Sequence, residues 1–324
     1  MKQVRSLLTV VCVLAAGAGV SLVHAQAYPS KPIRVIVPFP PGGISDALSR
    51  VTAQHLSSVW GQQVVVDNRP GAGTTLAADM VAKAVPDGYT LYFADITTHA
   101  INATLYTRLP YDSVKDYTQI AMVAQTPLIL VVHPSLPVKS VKELIALAKA
   151  RPGEINYASS GNGTILHLSG ETLKSMAGIQ MVHIPYKGSA PAVAAVMGGE
   201  ASLTFSTTPA ALPHVKAGRL RAIGVTSAKR SDIVPDVPSV AETLPGFDII
   251  LYSGIMGPAG IPREVARKIH DEAAQMLTLP KIRETWASYG ASPITMTQER
   301  FAEHLRSDIA TLGKMVKAAG AKVD

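Results

Sequence analysis

The sequence predicts an α/β fold in two parts, and three observations carry that prediction. Short apolar runs rich in β-branched residues alternate with stretches of helical periodicity along the chain. The first run, Ile33, Val35, Ile36 and Val37, ends in Pro38-Phe39-Pro40-Pro41-Gly42-Gly43, after which Leu48, Val51, His55, Leu56 and Val59 recur at helical spacing up to Gly61. The same order of strand, glycine-rich loop and helix returns further along, and 324 residues suffice for two cores.

The N-terminus sets the compartment. Lys2 and Arg5 precede an apolar run from Leu7 to Val23 and then Ala25-Gln26-Ala27, the pattern of a secretory signal peptide spanning 1–27, with cleavage expected after Ala25 or Ala27. Gly17, Gly19 and Ser21 interrupt the run, which argues against an uncleaved anchor. The mature chain is therefore expected in a periplasm. It lacks Cys12, the only cysteine, and with it any disulfide, thiolate nucleophile or cysteine metal ligand. Removing Lys2 and Arg5 takes the net charge from +7 to +5. Hydrophobic residues at 47% and charged residues at 16% exclude a disordered chain, and no basic–aromatic interleaving points to nucleic acid.

The first corner explains what the repetition is for. Three prolines stop the strand, and Gly42-Gly43 permit a turn that a Cβ would resist. The first N–H groups of the next helix are then unpaired and point out of the loop, where a carboxylate or phosphate fits. A second strand, Gln63 to Val66, leads into Asn68-Arg69-Pro70-Gly71-Ala72-Gly73-Thr74-Thr75 and a helix with Leu76, Met80, Val81 and Ala84 on one face. Arg69 in that turn is expected to bond locally. Pro86-Asp87-Gly88 is a turn before a strand from Tyr89 to Ala94. Ile120 to Val132 reads as two strands broken at Thr126-Pro127, a crossing between domains, and Ser140 with Glu143 opens a capped helix closed by Arg151-Pro152-Gly153.

The third corner, Tyr157 to Thr164, is the most donor-rich: Ser159, Ser160, Asn162 and the unhindered N–H groups of Gly161 and Gly163 converge on one helix start. His167, one turn in, either bonds a carbonyl or meets a ligand. A fourth junction, His183 to Pro191, carries Lys187, which either steers an anion or is simply solvated. Strands follow over 201–205 and 220–226, with a second crossing strand over 247–256. Helices near 262–277, 280–289 and 297–320 finish the chain.

Catalytic signatures are missing. Gly71-Ala72-Gly73 and Gly161-Asn162-Gly163 lack the third glycine of a dinucleotide fingerprint, since Leu76 and Leu166 stand there. Ser159-Ser160-Gly161 lacks the preceding glycine of a nucleophile elbow, and nine dispersed histidines show no zinc spacing. No enzyme, cofactor or metal is expected. Three or four neutral donors, at about 1.5–3 kcal/mol per charge-assisted hydrogen bond, suffice for micromolar capture of a small organic acid.

Pro38-Phe39-Pro40-Pro41-Gly42-Gly43 with Asp46, Asn68 to Gly73, Asp87 to Leu91, Tyr157 to Gly161 with His167-Leu168, Pro185 to Gly188, and Leu212-Pro213-His214 with Lys216-Ala217-Gly218 together resemble the Bug-type extracytoplasmic solute receptors, the substrate-binding components of tripartite tricarboxylate transporters. The resemblance runs in order through the whole mature chain. It implies a periplasmic-binding-protein (Venus flytrap, type II-like) fold, with two α/β domains around an interdomain cleft: residues 28–125 plus 251–324, and residues 126–250. It implies a monomer that binds a mono-, di- or aromatic carboxylate and docks on membrane permease subunits; a receptor feeding a membrane kinase is the alternative, a periplasmic hydrolase a further one. Carried over, the first-domain site uses Phe39, Gly43, Ile44, Ser45, Gly73 and Thr74, and the second-domain site Ser159, Gly161, Gly163, Thr164 and His167. Asp46 also falls in this set, although as an early helix residue it is expected to serve nearby N–H groups. Ser206 is also carried into the second-domain site; with Thr207 it stands where the family often has aspartate and asparagine, which implies no acidic partner for a ligand ammonium and argues against an amino-acid ligand such as aspartate. Thr74 replaces a usual third glycine, which narrows or re-hydrogen-bonds its loop.

Overall fold

The computed structural model describes residues 28–321, so the expected signal peptide lies outside the described residues. From Lys31 onward the chain forms a single unit built on two sheets. In the first, β1 (Ile33–Val37) lies between β2 (Val64–Asn68) and β3 (Thr90–Asp95), parallel to both. Ile33, Ile36 and Val37 are fully buried, the mark of a parallel strand covered on both faces. The long strands β4 (Tyr117–Pro127) and β10 (Ile250–Pro258) pair antiparallel, β10 also joins β3, and β11 (Ser292–Pro293) adds an edge.

The second sheet has five strands, in the order β7 (Val182–Pro185), β6 (Asn156–Ser159), β8 (Leu203–Ser206), β5 (Ile129–Val132), β9 (Arg221–Val225). Its β6 is parallel to β7 and β8, while β5 is antiparallel to β8 and to β9. The chain crosses between sheets twice. The first crossing is at Leu128, one residue beyond the expected break. The second lies between β9 and β10, and Thr226 ties the two together. Its Oγ1 accepts from Leu128 N–H (2.8 Å) and donates to the Ile249 carbonyl (2.7 Å), with both backbones paired to it as well. All three residues are buried.

Ten α-helices cover the sheets: α1 (Ile44–Trp60), α2 (Thr75–Ala82), α3 (Ile96–Leu105), α4 (Val141–Ala150), α5 (Ile165–Ala177), α6 (Ser189–Met197), α7 (Thr208–Lys216), α8 (Arg263–Met276), α9 (Pro280–Ser288) and α10 (Gln298–Ala318) among the described residues. Gly61 ends α1 in the left-handed region, at φ 63°. Two findings depart from the sequence reading. Helix α2 buries Ala77, Ala78 and Val81 and leaves Leu76 half exposed, because so short a helix seats its smallest side chains on the sheet. Helices α3 and α7 were not expected: α3 is rich in β-branched and polar residues, α7 contains Pro213, and both hold through burial against the core.

Candidate ligand-binding cleft

Parallel strands followed by helices put every strand's carboxyl end beside a helix start, the place where open α/β sheets bind ligands. Here β1, β3, β6 and β8 all deliver their ends to one chamber. Its wall is made by Gly43, Ile44 and Ser45 at the start of α1, Asp95 before α3, Ser160 and Leu166 at α5, Ser189 at α6 and Thr207 before α7, with Phe39, Pro40 and Leu251. Four of these five helix starts, those of α1, α5, α6 and α7, have no side-chain cap. Each carries about half a positive charge in its first N–H groups, of which the Ile165 N–H of α5 is taken by Thr98 Oγ1 (3.2 Å). The chamber measures about 20 Å³. A wider outer cavity of about 370 Å³ shares Phe39 and Ser160 with it and is bounded by the 70–74 loop, Tyr106, Gly161, Asn162 and Lys187.

The expected site residues divide. Phe39, Gly43, Ile44, Ser45, Gly73, Thr74 and Gly161 line one cavity or the other. Ser45 is buried and its Oγ has no hydrogen-bond partner, an uncommon state for a hydroxyl. Asp46, Ser159, Gly163, Thr164, His167 and Ser206 line neither. Asp46 accepts from Arg50 Nε (2.9 Å), Asn68 Nδ2 (3.0 Å) and Gly42 N–H (3.3 Å). Burial pushes its carboxyl up, but those bonds outweigh burial and hold it below the usual range. Thr164 donates to the Gly161 carbonyl (2.8 Å) and accepts from Ser160 (2.9 Å), and Ser206 pairs with Ser189 (2.9 Å). Gly163 packs on α3, where a Cβ would stand 2.9 Å from Asn102 Oδ1.

His167 accepts the Gly163 N–H (3.3 Å) and stacks on His183 at 4.0 Å, so it bonds neither a carbonyl nor a cavity. His183 in turn lies 2.6 Å from Ser159 Oγ. Burial, then the neighbouring charges of His167 and Lys174, lower it to about 3. Arg69 pairs with Asp67 (2.9 Å), the local role expected of it. Thr74 sits at φ 81° and its Oγ1 accepts from Asn102 (3.1 Å), so the loop is re-hydrogen-bonded onto α3, where Asn102 also reaches the Gly73 carbonyl (2.7 Å).

Asp95 is the residue that sequence reasoning missed. It is buried, closes β3, and caps α3 by accepting Thr98 N–H (2.9 Å) and Thr98 Oγ1 (2.7 Å). Burial raises its carboxyl to about 6, against those bonds. Ser206-Thr207 supply no acid, but Asp95 brings one to the inner chamber from a different strand. Its signal was an aspartate at the end of an apolar strand in an α/β pattern. Among the described residues no lysine, arginine or histidine lines the inner chamber, and no histidine–carboxylate group could hold a metal.

The family model for the tripartite tricarboxylate transporter family receptor matches residues 48–321. The chain belongs to that family. The receptor is 36% identical to BugT of Bordetella pertussis over 320 residues, covering 98% of each chain. It superposes with TM-score 0.89 on an R. palustris protein solved with adipate, at 35% identity over 91% of this chain and all of that one. MatC of Rhodopseudomonas palustris, solved with bound malate, superposes with TM-score 0.85 at 27% identity, over 89% of the receptor and all of MatC. The periplasmic-binding-protein fold with two α/β domains is thus common to the receptor and its structural relatives. No helix among the described residues is long and apolar enough to cross a membrane.

Proposed function

We propose that this receptor captures a small organic carboxylate in the periplasm, closes around it and presents it to the membrane permease of a tripartite transporter. One observation carries the reading: four helix starts whose own N-cap residues supply no side-chain cap, one from the first sheet and three from the second, open on a single chamber. Two carboxylate oxygens can serve those N–H groups together once the cleft has opened to admit them. The adipate and malate bound by the structural relatives support the same ligand class. The domains then comprise 28–125 with 251–324, and 126–250, hinged where Leu128 and Ile249 meet Thr226. The proximal guest contacts are assigned to Phe39, Gly43, Ile44, Ser45, Gly73 and Thr74. Gly161 lines the outer cavity with its N–H held by Ser159 Oγ (3.1 Å), and Ser159, Gly163, Thr164 and His167 hold the third corner in shape. The first 27 residues direct export and are removed.

Calorimetric titration and thermal shift against mono-, di- and aromatic carboxylates test this. A raised melting temperature with at least one acid is expected. Stabilisation by a sugar or a cation but by no acid would refute it. Sequencing the N-terminus of the exported protein tests cleavage, and a pull-down from membranes separates a permease partner from a kinase.

The Ser159–His183 pair is the one feature that favours a hydrolase. Its histidine, at about 3, is too weak a base at neutral pH, and Ser159 Oγ is buried and already engaged with Gly161. The pair stiffens the third corner.

A further inference from the structure

Resting on that reading and narrowing it, we propose that Asp95 is a specificity residue that receives a protonated amino group, so that the guest is an amino carboxylate. The chamber holds two opposite demands. The starts of α1, α6 and α7 have no side-chain cap and call for an anion, and at α5 only the Ile165 N–H is taken, by Thr98 Oγ1 (3.2 Å). Asp95 lines the same space and is itself anionic at neutral pH. Thr98 supplies one bond to each of its carboxylate oxygens and the Thr97 N–H acts on the same carboxylate, which leaves acceptor capacity for one further donor. Among the described residues the inner chamber offers no basic side chain to meet that charge. A guest that is only an anion would bring like charge into a closed, poorly hydrated space. A guest that carries an ammonium beside its carboxylate satisfies both: oxygens to the helix starts, ammonium to Asp95. The hydroxyls of Ser45, Ser189 and Thr207 lie in the same wall and suit either end.

The test is calorimetric titration of the mature receptor with matched acids: succinate and aspartate, glutarate and glutamate, 4-methylpentanoate and leucine. In at least one pair the amino member is expected to bind about tenfold tighter or more. Asparagine caps helices as well as aspartate does, so Asp95→Asn should fold, and it should invert the preference: weaker for the amino acid by about tenfold, tighter for its des-amino partner. Asp95→Ser, which keeps a capping oxygen in a smaller side chain, provides a second neutral variant with the same expected inversion. Wild-type preference for the des-amino member of every pair, malate matching aspartate where that pair binds best, or equal losses for both members in the variants would each overturn the proposal. Carboxylate binding without amine preference sinks this inference alone. Binding of no acid of either kind sinks the carboxylate reading with it.

Discussion

The backbone N–H of Ile165 donates to Oγ1 of Thr98 at 3.2 Å, and that same hydroxyl donates to Asp95 at 2.7 Å. Ile165 opens α5 beside the second sheet and Thr98 belongs to α3 beside the first, so one buried hydroxyl links a helix start of one half to the acid of the other.

Thr98→Val removes both bonds while keeping the shape of the side chain. Each buried hydrogen bond lost is worth about 1–3 kcal/mol when a partner is left unsatisfied. The variant is expected to melt lower and to bind its acid roughly tenfold more weakly, with a larger radius of gyration in the ligand-free state. Unchanged affinity and radius would show that this link does not hold the cleft.

Ser45→Ala has the opposite signature in the free protein. The Ser45 hydroxyl is buried and unpartnered, so its removal relieves a desolvation cost of about 1–3 kcal/mol and places a better helix former in α1. The ligand-free melting temperature should hold or rise, while the shift produced by a bound acid shrinks. A drop in the ligand-free value would show that Ser45 serves the fold.

Gly73→Ala tests the approach of the two halves. Gly73 has φ 56°, and a Cβ there would collide with the Asn162 carbonyl of the third corner and stand 2.7 Å from the Tyr106 hydroxyl. Gly199→Ala is the control, since its φ of 74° carries similar strain with nothing within 4 Å. Both should lose about 1 kcal/mol from the left-handed backbone. Only Gly73→Ala is expected to weaken ligand binding, by about tenfold or more on titration.

Asp95 predicts a pH dependence of opposite sign to that of most carboxylates. Burial lifts it from 3.8 to about 6, so the folded state holds this proton more tightly than the unfolded one. The stabilisation is complete below the unfolded value and is lost as pH rises through 6, leaving a charged group that costs about 3 kcal/mol at neutral pH. Urea unfolding at about pH 7.5 should therefore find Asp95→Asn more stable than wild type by up to that amount, with the difference vanishing near pH 4. A less stable variant at neutral pH would mean that the folded protein already compensates the charge.

The scaffold was legible where its strands are buried. Runs such as Ile33 to Val37 have one reading, and the prolines and glycines after them mark where the helices must start. The site was legible only as far as it is backbone. Gly43, Gly73 and Gly161 follow from the loop chemistry and Ile44 from the family resemblance, and all four line the cavities. Side-chain donors were harder, because Ser159, Thr164 and His167 look alike in sequence whether they face a guest or brace a turn, and here they brace the turn. Asp95 and Thr207 escaped for a different reason: the helices that follow them, Ile96–Leu105 and Thr208–Lys216, run against local propensity and are held by tertiary burial.

The inner chamber leaves about 20 Å³ to the centre of a water-sized sphere, room for about one water. No solute of several carbons can slip into a molecule already shut, so docking must come first and shutting second. In a stopped-flow record the observed rate should level off as solute is raised, at a plateau that reports how fast the jaws swing. Departure is then governed by the reverse swing, and a membrane partner that prises the jaws apart would quicken unloading without touching the solute at all.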